Sequence, residues 1–172
     1  MKKTKILIFG KNSFIGSSLY SKLKSHFTVN IANYKIQKLN KIKNYDFIIN
    51  CSTNKNYTKI KYLQKNDFDL QIAKKIKKEK THLIFLSSRK VYRPGPNLNE
   101  NSKIECKKHY ERNKYISEKA ISKIKKSNLT ILRISNLIGY KKKGKRSIHN
   151  TYLDTLLKEV RNGKNINNNN AY

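Results

Sequence analysis

Short apolar runs and longer segments of helical spacing take turns along this chain. Ile6–Phe9 stops at Gly10 and reads as a strand, Phe27–Asn33 alternates as a strand beside it, and Leu129–Ile134 is the last of the set. Asp46–Ser52 and His82–Ser88 carry the near-continuous apolar character of strands buried in a parallel sheet. Helical spacing covers roughly Ser17 to Lys24, then Lys59–Lys78 with apolar residues at Ile60, Leu63, Phe68, Leu70, Ile72, Ala73 and Ile76, then His109–Lys125. Asn66-Asp67 marks a candidate break in the second of these, and Arg93-Pro94-Gly95-Pro96 makes a loop. Tyr152–Val160 sets Leu153, Leu156, Leu157 and Val160 on one helical face, with Gly163 as its stop, and Asn165–Asn170 is a low-complexity polar stretch. Strands alternating with helices predict an α/β fold, a doubly wound parallel sheet with helices on both faces.

The 172 residues are one domain by length, enough to bury a core. Forty Lys and Arg against ten Asp and Glu leave a formal charge of +30 and a pI near 10.2, which alone would suggest nucleic acid or an anionic surface. The lysines are spread along the whole chain with abundant Asn and Ile, as a compositional bias at tolerant surface positions would spread them. Neither an aromatic-flanked recognition motif nor a zinc-ligand pattern accompanies the charge, so no specific nucleic-acid partner is expected. Cys51 and Cys106 stand far apart and alone, which gives no disulfide framework and fits a reducing compartment. His26, His82, His109 and His149 have no clustered carboxylate or Cys partners, and no metal site is expected. Too few apolar residues follow MKKTK for a signal peptide, and no run approaches the ~18 that span a membrane. A cytoplasmic protein is the expectation.

Chemistry enters at Lys5–Leu19, where strand, tight turn and helix follow one another. A glycine at the strand end permits the turn, one at the helix start allows close packing, and the helix N-terminus aims N–H groups at an anion such as a pyrophosphate. The spacing here is Gly10, Ser13, Gly16, with a serine where a glycine would let the backbone touch the pyrophosphate. An acidic residue about 20 positions past the glycines accepts the ribose 2′-OH of NAD and repels a 2′-phosphate. Asn33 stands at that place, so the sequence tolerates NADP, and Lys35 or Lys38 could hold its phosphate.

In an open parallel sheet, ligands sit outside the carboxyl ends of the strands. Ser88 ends one strand, Tyr110 and Lys114 share a face of the next helix at i, i+4, and Arg133–Gly139 ends the last strand. A phenol near an ammonium and a cationic nicotinamide makes a usable general acid/base, and Ser88 would orient a substrate hydroxyl or carbonyl. Tyr115 and Lys119 form a competing pair of the same spacing.

Taken together, these pieces resemble an extended short-chain dehydrogenase/reductase of the NAD-dependent epimerase/dehydratase family, the enzymes of nucleotide-sugar metabolism. The matching stretches are Ile6–Gly16, Asp46–Ser52, Asn66, Phe85–Tyr92, Glu100, the Tyr110 helix and Ile131–Gly139, in family order. Glu118, four residues after Lys114, favours the Tyr110/Lys114 pair, because the family helix continues with a glutamate there. The resemblance implies a Rossmann-like domain at residues 1–140 and NAD or NADP as cofactor. It implies catalysis by Ser88, Tyr110 and Lys114 with Asn66 in support, and Lys114 also on the nicotinamide ribose. Gly10, Ser13, Phe14, Ile15 and Gly16 would hold pyrophosphate, Asp46 would lie near the adenine, and Cys51 and Ser52 would line the cofactor path.

Several departures narrow the expected reaction. Family dehydratases place Thr-Asp-Glu where Ser88-Arg89-Lys90 stands, which argues against water elimination and leaves epimerisation or reduction of a nucleotide sugar. The short link from Asn33 to Asp46 resembles the compact deoxysugar reductases, while Glu111 and Asn113 replace small residues beside Tyr110. Most of the substrate-binding part is expected to be missing, with residues 141–164 its start or remnant and 165–172 a disordered Asn-rich tail. Lys141–Arg146 is either a diphosphate grip or a solvated loop. Cofactor binding without turnover is the alternative to a complete enzyme, a basic nucleic-acid module is a third reading, and a homodimer is a family expectation.

Overall fold

The computed structural model describes residues 3–35, 42, 44–76, 80–125, 127–135, 137 and 160–162. In chain order the elements are β1 (Lys5–Phe9), α1 (Phe14–Leu23), β2 (Thr28–Ala32), β3 (Phe47–Asn50), α2 (Phe68–Lys75), β4 (His82–Ser88), α3 (His109–Ile124) and β5 (Leu129–Ile134). The strands form one parallel sheet in the order β2-β1-β3-β4-β5. From β1 the chain moves outward to β2 and then crosses back to β3 on the other side of β1. The carboxyl ends of β1 and β3 therefore flank the point where the winding reverses, the place where such sheets open a crevice.

Alternate residues of the strands serve two cores. Ile6, Ile8 and Ile49 pack with Leu19, Tyr20 and Leu23 of α1 on one face. Leu7, Phe9, Ile48, Leu83 and Phe85 pack with Leu70, Ile72 and Ala73 of α2 and Ile121 of α3 on the other. Because both faces are covered, the strands read as continuous apolar runs and not as alternation. Toward β5 the α1 face is less covered: Ile84 and Leu86 are half-buried, and Leu132 is 45% exposed.

Most boundaries follow the sequence pattern, with two instructive shifts. Helix α1 starts at Phe14, ahead of the expected Ser17, because the Ser13 side chain caps it. The expected Lys59–Lys78 helix contracts to α2, because Asp67 caps its start by accepting the Leu70 N–H at 2.9 Å. The apolar residues before that cap, Ile60 and Leu63, are exposed and belong to a segment of short helical turns. That segment is clasped to α3: Asn113 Nδ2 donates to the Tyr57 and Ile60 carbonyls, and the Tyr57 and Ser117 hydroxyls meet at 2.6 Å above Asp67. Of the expected Tyr152–Val160 helix and the 141–164 and 165–172 segments, only residues 160–162 are described, Val160 and Arg161 being helical.

Candidate active site at the strand ends

Gly10 follows β1 with φ +108°, a conformation that side chains with a Cβ rarely adopt. A Cβ on Gly10 would come 2.9 Å from the Cys51 carbonyl carbon, and one on Gly16 would come 2.3 Å from the Gly10 carbonyl oxygen. Ser13 bridges the two glycines: its hydroxyl donates to the Gly10 carbonyl and accepts from the Gly16 N–H, each at 2.9 Å. The serine in the middle of the motif thus closes the turn and caps α1. Phe14 and Ile15 open the helix, where N–H groups have no helical carbonyl to pair with. No acidic residue lies in that first turn, so the positive end of the helix is uncompensated there. The donor set fits a pyrophosphate.

Beyond Cys51, whose backbone a Cβ on Gly10 would touch, Ser52, Asn54, Asn66, Phe68, Asp69 and Lys114 among others line a shallow recess with no room for a water molecule as it stands. The structure therefore gathers Ser52, Asn66 and Lys114 of the expected residues. Asn66 is buried at the end of a short helical turn and accepts from Asn54 Nδ2 at 3.4 Å. Cys51 is half-buried after β3, and burial, with Asp69 nearby, pushes its thiol up to about 12. Ser88 and Tyr110 lie outside the recess walls: Ser88 ends β4, its hydroxyl accepting the Lys90 N–H, and Tyr110 is half-buried one helical turn before Lys114.

Lys114 is 5% exposed, and its Nζ donates to the Leu86 carbonyl at 2.8 Å and lies 4.7 Å from the Phe85 ring centroid. Its ion-pair partner is Asp69 at 3.7 Å, a residue that the sequence reading did not single out. Burial pushes the Asp69 carboxyl up to about 6, while Lys114 and the Asn50 hydrogen bond pull it back down and Asp67 adds to the rise. One signal was available: this chain has ten acidic residues, and Asp69 sits between Phe68 and Leu70 on a helix with apolar spacing.

The competing pair differs from this one. Lys119 is exposed, with its ammonium 5.3 Å from the Tyr115 ring centroid, so that pair belongs to the helix surface. Glu118 is buried, and it accepts from Ser87 and Arg133. The two departures beside Tyr110 both carry structure: Glu111 accepts the Lys107 and Lys108 N–H groups at 2.8 and 2.9 Å, and Asn113 holds the 56–60 segment.

Asp46 must be taken out of the expected site. Its carboxylate accepts the Lys5 N–H at 2.8 Å, which places it at the amino ends of β1 and β3. A strand of this length separates it from the cradle by about 13 Å, since strands rise ~3.3 Å per residue. Asn33 and Lys35 are exposed just past β2, at the cradle end of the sheet. Tyr34 between them stacks on Phe68 at 3.7 Å and donates to Gln71 Oε1. Burial and the nearby Asp69 and Asp67 push the Tyr34 hydroxyl up to about 12, which keeps it a neutral donor. Lys38, Gly139 and Lys141–Arg146 lie outside the described residues. Among the described residues no group of His, Cys, Asp or Glu could hold a metal ion, and no helix is long and apolar enough to cross a membrane.

The parallel sheet, its reversal point and the glycine turn into α1 define a Rossmann-like α/β protein. The chain belongs to the NAD dependent epimerase/dehydratase family, whose family model matches residues 6–170. Among solved structures it is similar to a dTDP-4-dehydrorhamnose reductase from Bacillus anthracis in complex with NADP, at 16% identity and TM-score 0.73 over 94% of this chain and 61% of that one. It is similar to a UDP-N-acetylglucosamine 4-epimerase from Methanobrevibacter ruminantium M1 in complex with UDP-N-acetylmuramic acid, at 20% and 0.70 over 95% and 64%. A UDP-glucuronic acid 4-epimerase from Bacillus cereus in complex with NAD follows at 17% and 0.67, over 94% and 65%. At such identities the likeness is one of fold, and the chain spans under two thirds of each protein's length. No curated protein matches the sequence.

Proposed function

We propose that this chain binds NAD or NADP across the carboxyl ends of β1 and β3 and serves NAD(P)-dependent epimerisation or reduction of a nucleotide sugar. The observation that carries the reading is the placement of Lys114. It is buried beside the glycine cradle, at the wall of a recess that Asn66 and Ser52 share, one helical turn from Tyr110. Gly10, Ser13, Phe14, Ile15 and Gly16 would hold the pyrophosphate, and Lys114 a ribose hydroxyl. When bound, the nicotinamide supplies hydride transfer to or from a sugar carbon. Tyr110 takes or gives the proton at the substrate oxygen, and Ser88 orients that oxygen by hydrogen bonding. Arg89 and Lys90 form the helical turn after Ser88, so no carboxylate stands there for water elimination.

A second reading, nucleotide binding without turnover, draws on Ser88 and Tyr110 lying outside the recess walls. Titration of the protein with NADH and NADPH, followed by nicotinamide fluorescence, tests the shared part. Saturable binding weakened by Lys114→Ala supports the cradle and the helix, and no binding to either nucleotide refutes both readings. Absorbance of the reduced nicotinamide during incubation with UDP- and dTDP-linked keto sugars then separates reductive turnover from binding alone. Chromatographic separation of sugar epimers does the same for epimerisation.

A further inference from the structure

Asp69 stands on the first turn of α2 and Lys114 on the second turn of α3, each 5% exposed. Asp69 Oδ1 accepts from Asn50 Nδ2 at 2.9 Å, and Oδ2 lies 3.7 Å from Lys114 Nζ. Asn50, at the end of β3, is itself held by Ser52, whose carbonyl and N–H it meets at 3.0 Å each. The other titratable groups near Asp69 are Asp67 from the cap of α2, Tyr34 from beyond β2, Cys51 from after β3 and Tyr57 from the 56–58 turn. Lys114 is the cation among them.

An ammonium has three N–H bonds. The Leu86 carbonyl accepts one at 2.8 Å and Asp69 lies 3.7 Å from the nitrogen, which leaves a third without an acceptor among the described residues. We propose that Asp69 is a positioning residue for Lys114, holding the ammonium in place so that it can donate to a ligand hydroxyl. The proposal deepens the nucleotide-binding reading above and rests on it. Its physical basis is that a counter-charge offsets the cost of taking an ammonium out of water, and that a four-carbon stem without an anchor samples many rotamers. Three elements converge on the pair: β3 through Asn50, α2 through Asp69 and α3 through Lys114 itself.

A double-mutant cycle on NADPH and NADH affinity tests it, with Asp69→Asn, Lys114→Met and the double variant, each checked for folding by circular dichroism. Asp69→Asn is expected to weaken binding about tenfold or more in the wild-type background and to have almost no effect in the Lys114→Met background. Equal losses in both backgrounds, or no loss in either, overturn the proposal. A second readout needs no nucleotide. The Lys114 Cε resonance in lysine-labelled protein, assigned by its loss in Lys114→Met, is expected to change position and to narrow in Asp69→Asn, as the stem loses its anchor. An unchanged position and width overturn the proposal even where binding is observed. In the wild-type protein alone, the same resonance is expected to move as Asp69 ionises near pH 6, and its failure to move between pH 5 and 7 is decisive against the proposal should Asp69→Asn not fold. If wild-type protein binds neither nucleotide, the functional reading fails, and the Lys114 resonance still decides the role of Asp69.

Discussion

Arg133 on β5 grips the Glu118 carboxylate on α3 with two nitrogens, Nε at 3.0 Å and a terminal nitrogen at 2.6 Å. Ser87 on β4 donates to the same carboxylate, so one buried acid ties a helix to two neighbouring strands just below Ser88. The hydrogen bonds to Glu118 raise the Arg133 guanidinium above its usual range, so it stays charged throughout the accessible pH range.

Glu118 is buried and Arg133 half-buried, so removing the acid leaves a partly solvated cation and an unpaired Ser87 hydroxyl. Glu118→Ala is expected to destabilise the fold by about 1–3 kcal/mol, read by urea unfolding. The double variant Glu118→Leu with Arg133→Met is expected to recover much of that loss, because an apolar pair avoids the desolvation cost. Two single losses that simply add in the double variant would contradict the coupling.

At the cradle, Gly16→Ala places a Cβ 2.3 Å from the Gly10 carbonyl oxygen. The turn must open to accept it, so nucleotide affinity is expected to fall at least about tenfold, a cost of ~1.4 kcal/mol. Ser13→Ala should cost about 1 kcal/mol of stability through the lost helix cap. Fluorescence titration and thermal unfolding measure the two separately, and unaltered binding by Gly16→Ala would remove the cradle from the site.

The two Tyr-x-x-x-Lys pairs are separable on α3. Tyr110→Phe is expected to lower turnover by about 10²-fold or more, the usual worth of a general acid/base, with nucleotide affinity nearly unchanged. Tyr115→Phe is expected to leave both within about twofold, in keeping with surface substitutions of small energetic effect. The reverse result would move the proposed proton-transfer role to Tyr115.

Asp69 also sets a pH dependence of stability. Burial raises its carboxyl from 3.8 to about 6, so the folded protein holds that proton more tightly than the unfolded chain. The stability this contributes is complete below pH 3.8 and is lost as pH rises through about 6. Relative to Asp69→Asn, wild-type stability is expected to fall by roughly 2–3 kcal/mol between pH 4 and 7, measured by denaturant unfolding at each pH. A difference that is flat across this window would show that the carboxyl titrates alike in both states.

The strands and their order of appearance were legible in the sequence, because a strand buried on both faces must be written as an apolar run. His82–Ser88 and Leu129–Ile134 stand in the fold with the ends that the pattern predicts. The glycine turn was legible for a similar reason: positive φ and a carbonyl 2.3 Å from a would-be Cβ leave glycine little competition. Tertiary structure alone decided the rest. Whether a charged side chain points to water or into the core depends on what packs over it, and that partner comes from elsewhere in the chain. Asp46 and Asp69 show the difference. Each is an acid beside an apolar segment, yet Asp46 accepts the Lys5 backbone N–H at the amino end of the sheet, and Asp69 is enclosed with Lys114 beside the cradle. In the same way Glu118 became a buried anchor, because β5 brought Arg133 across to it. Local spacing fixes which residues share a face of one element, while the enclosure that gives a charge its chemistry is a property of elements that meet only when the chain is folded.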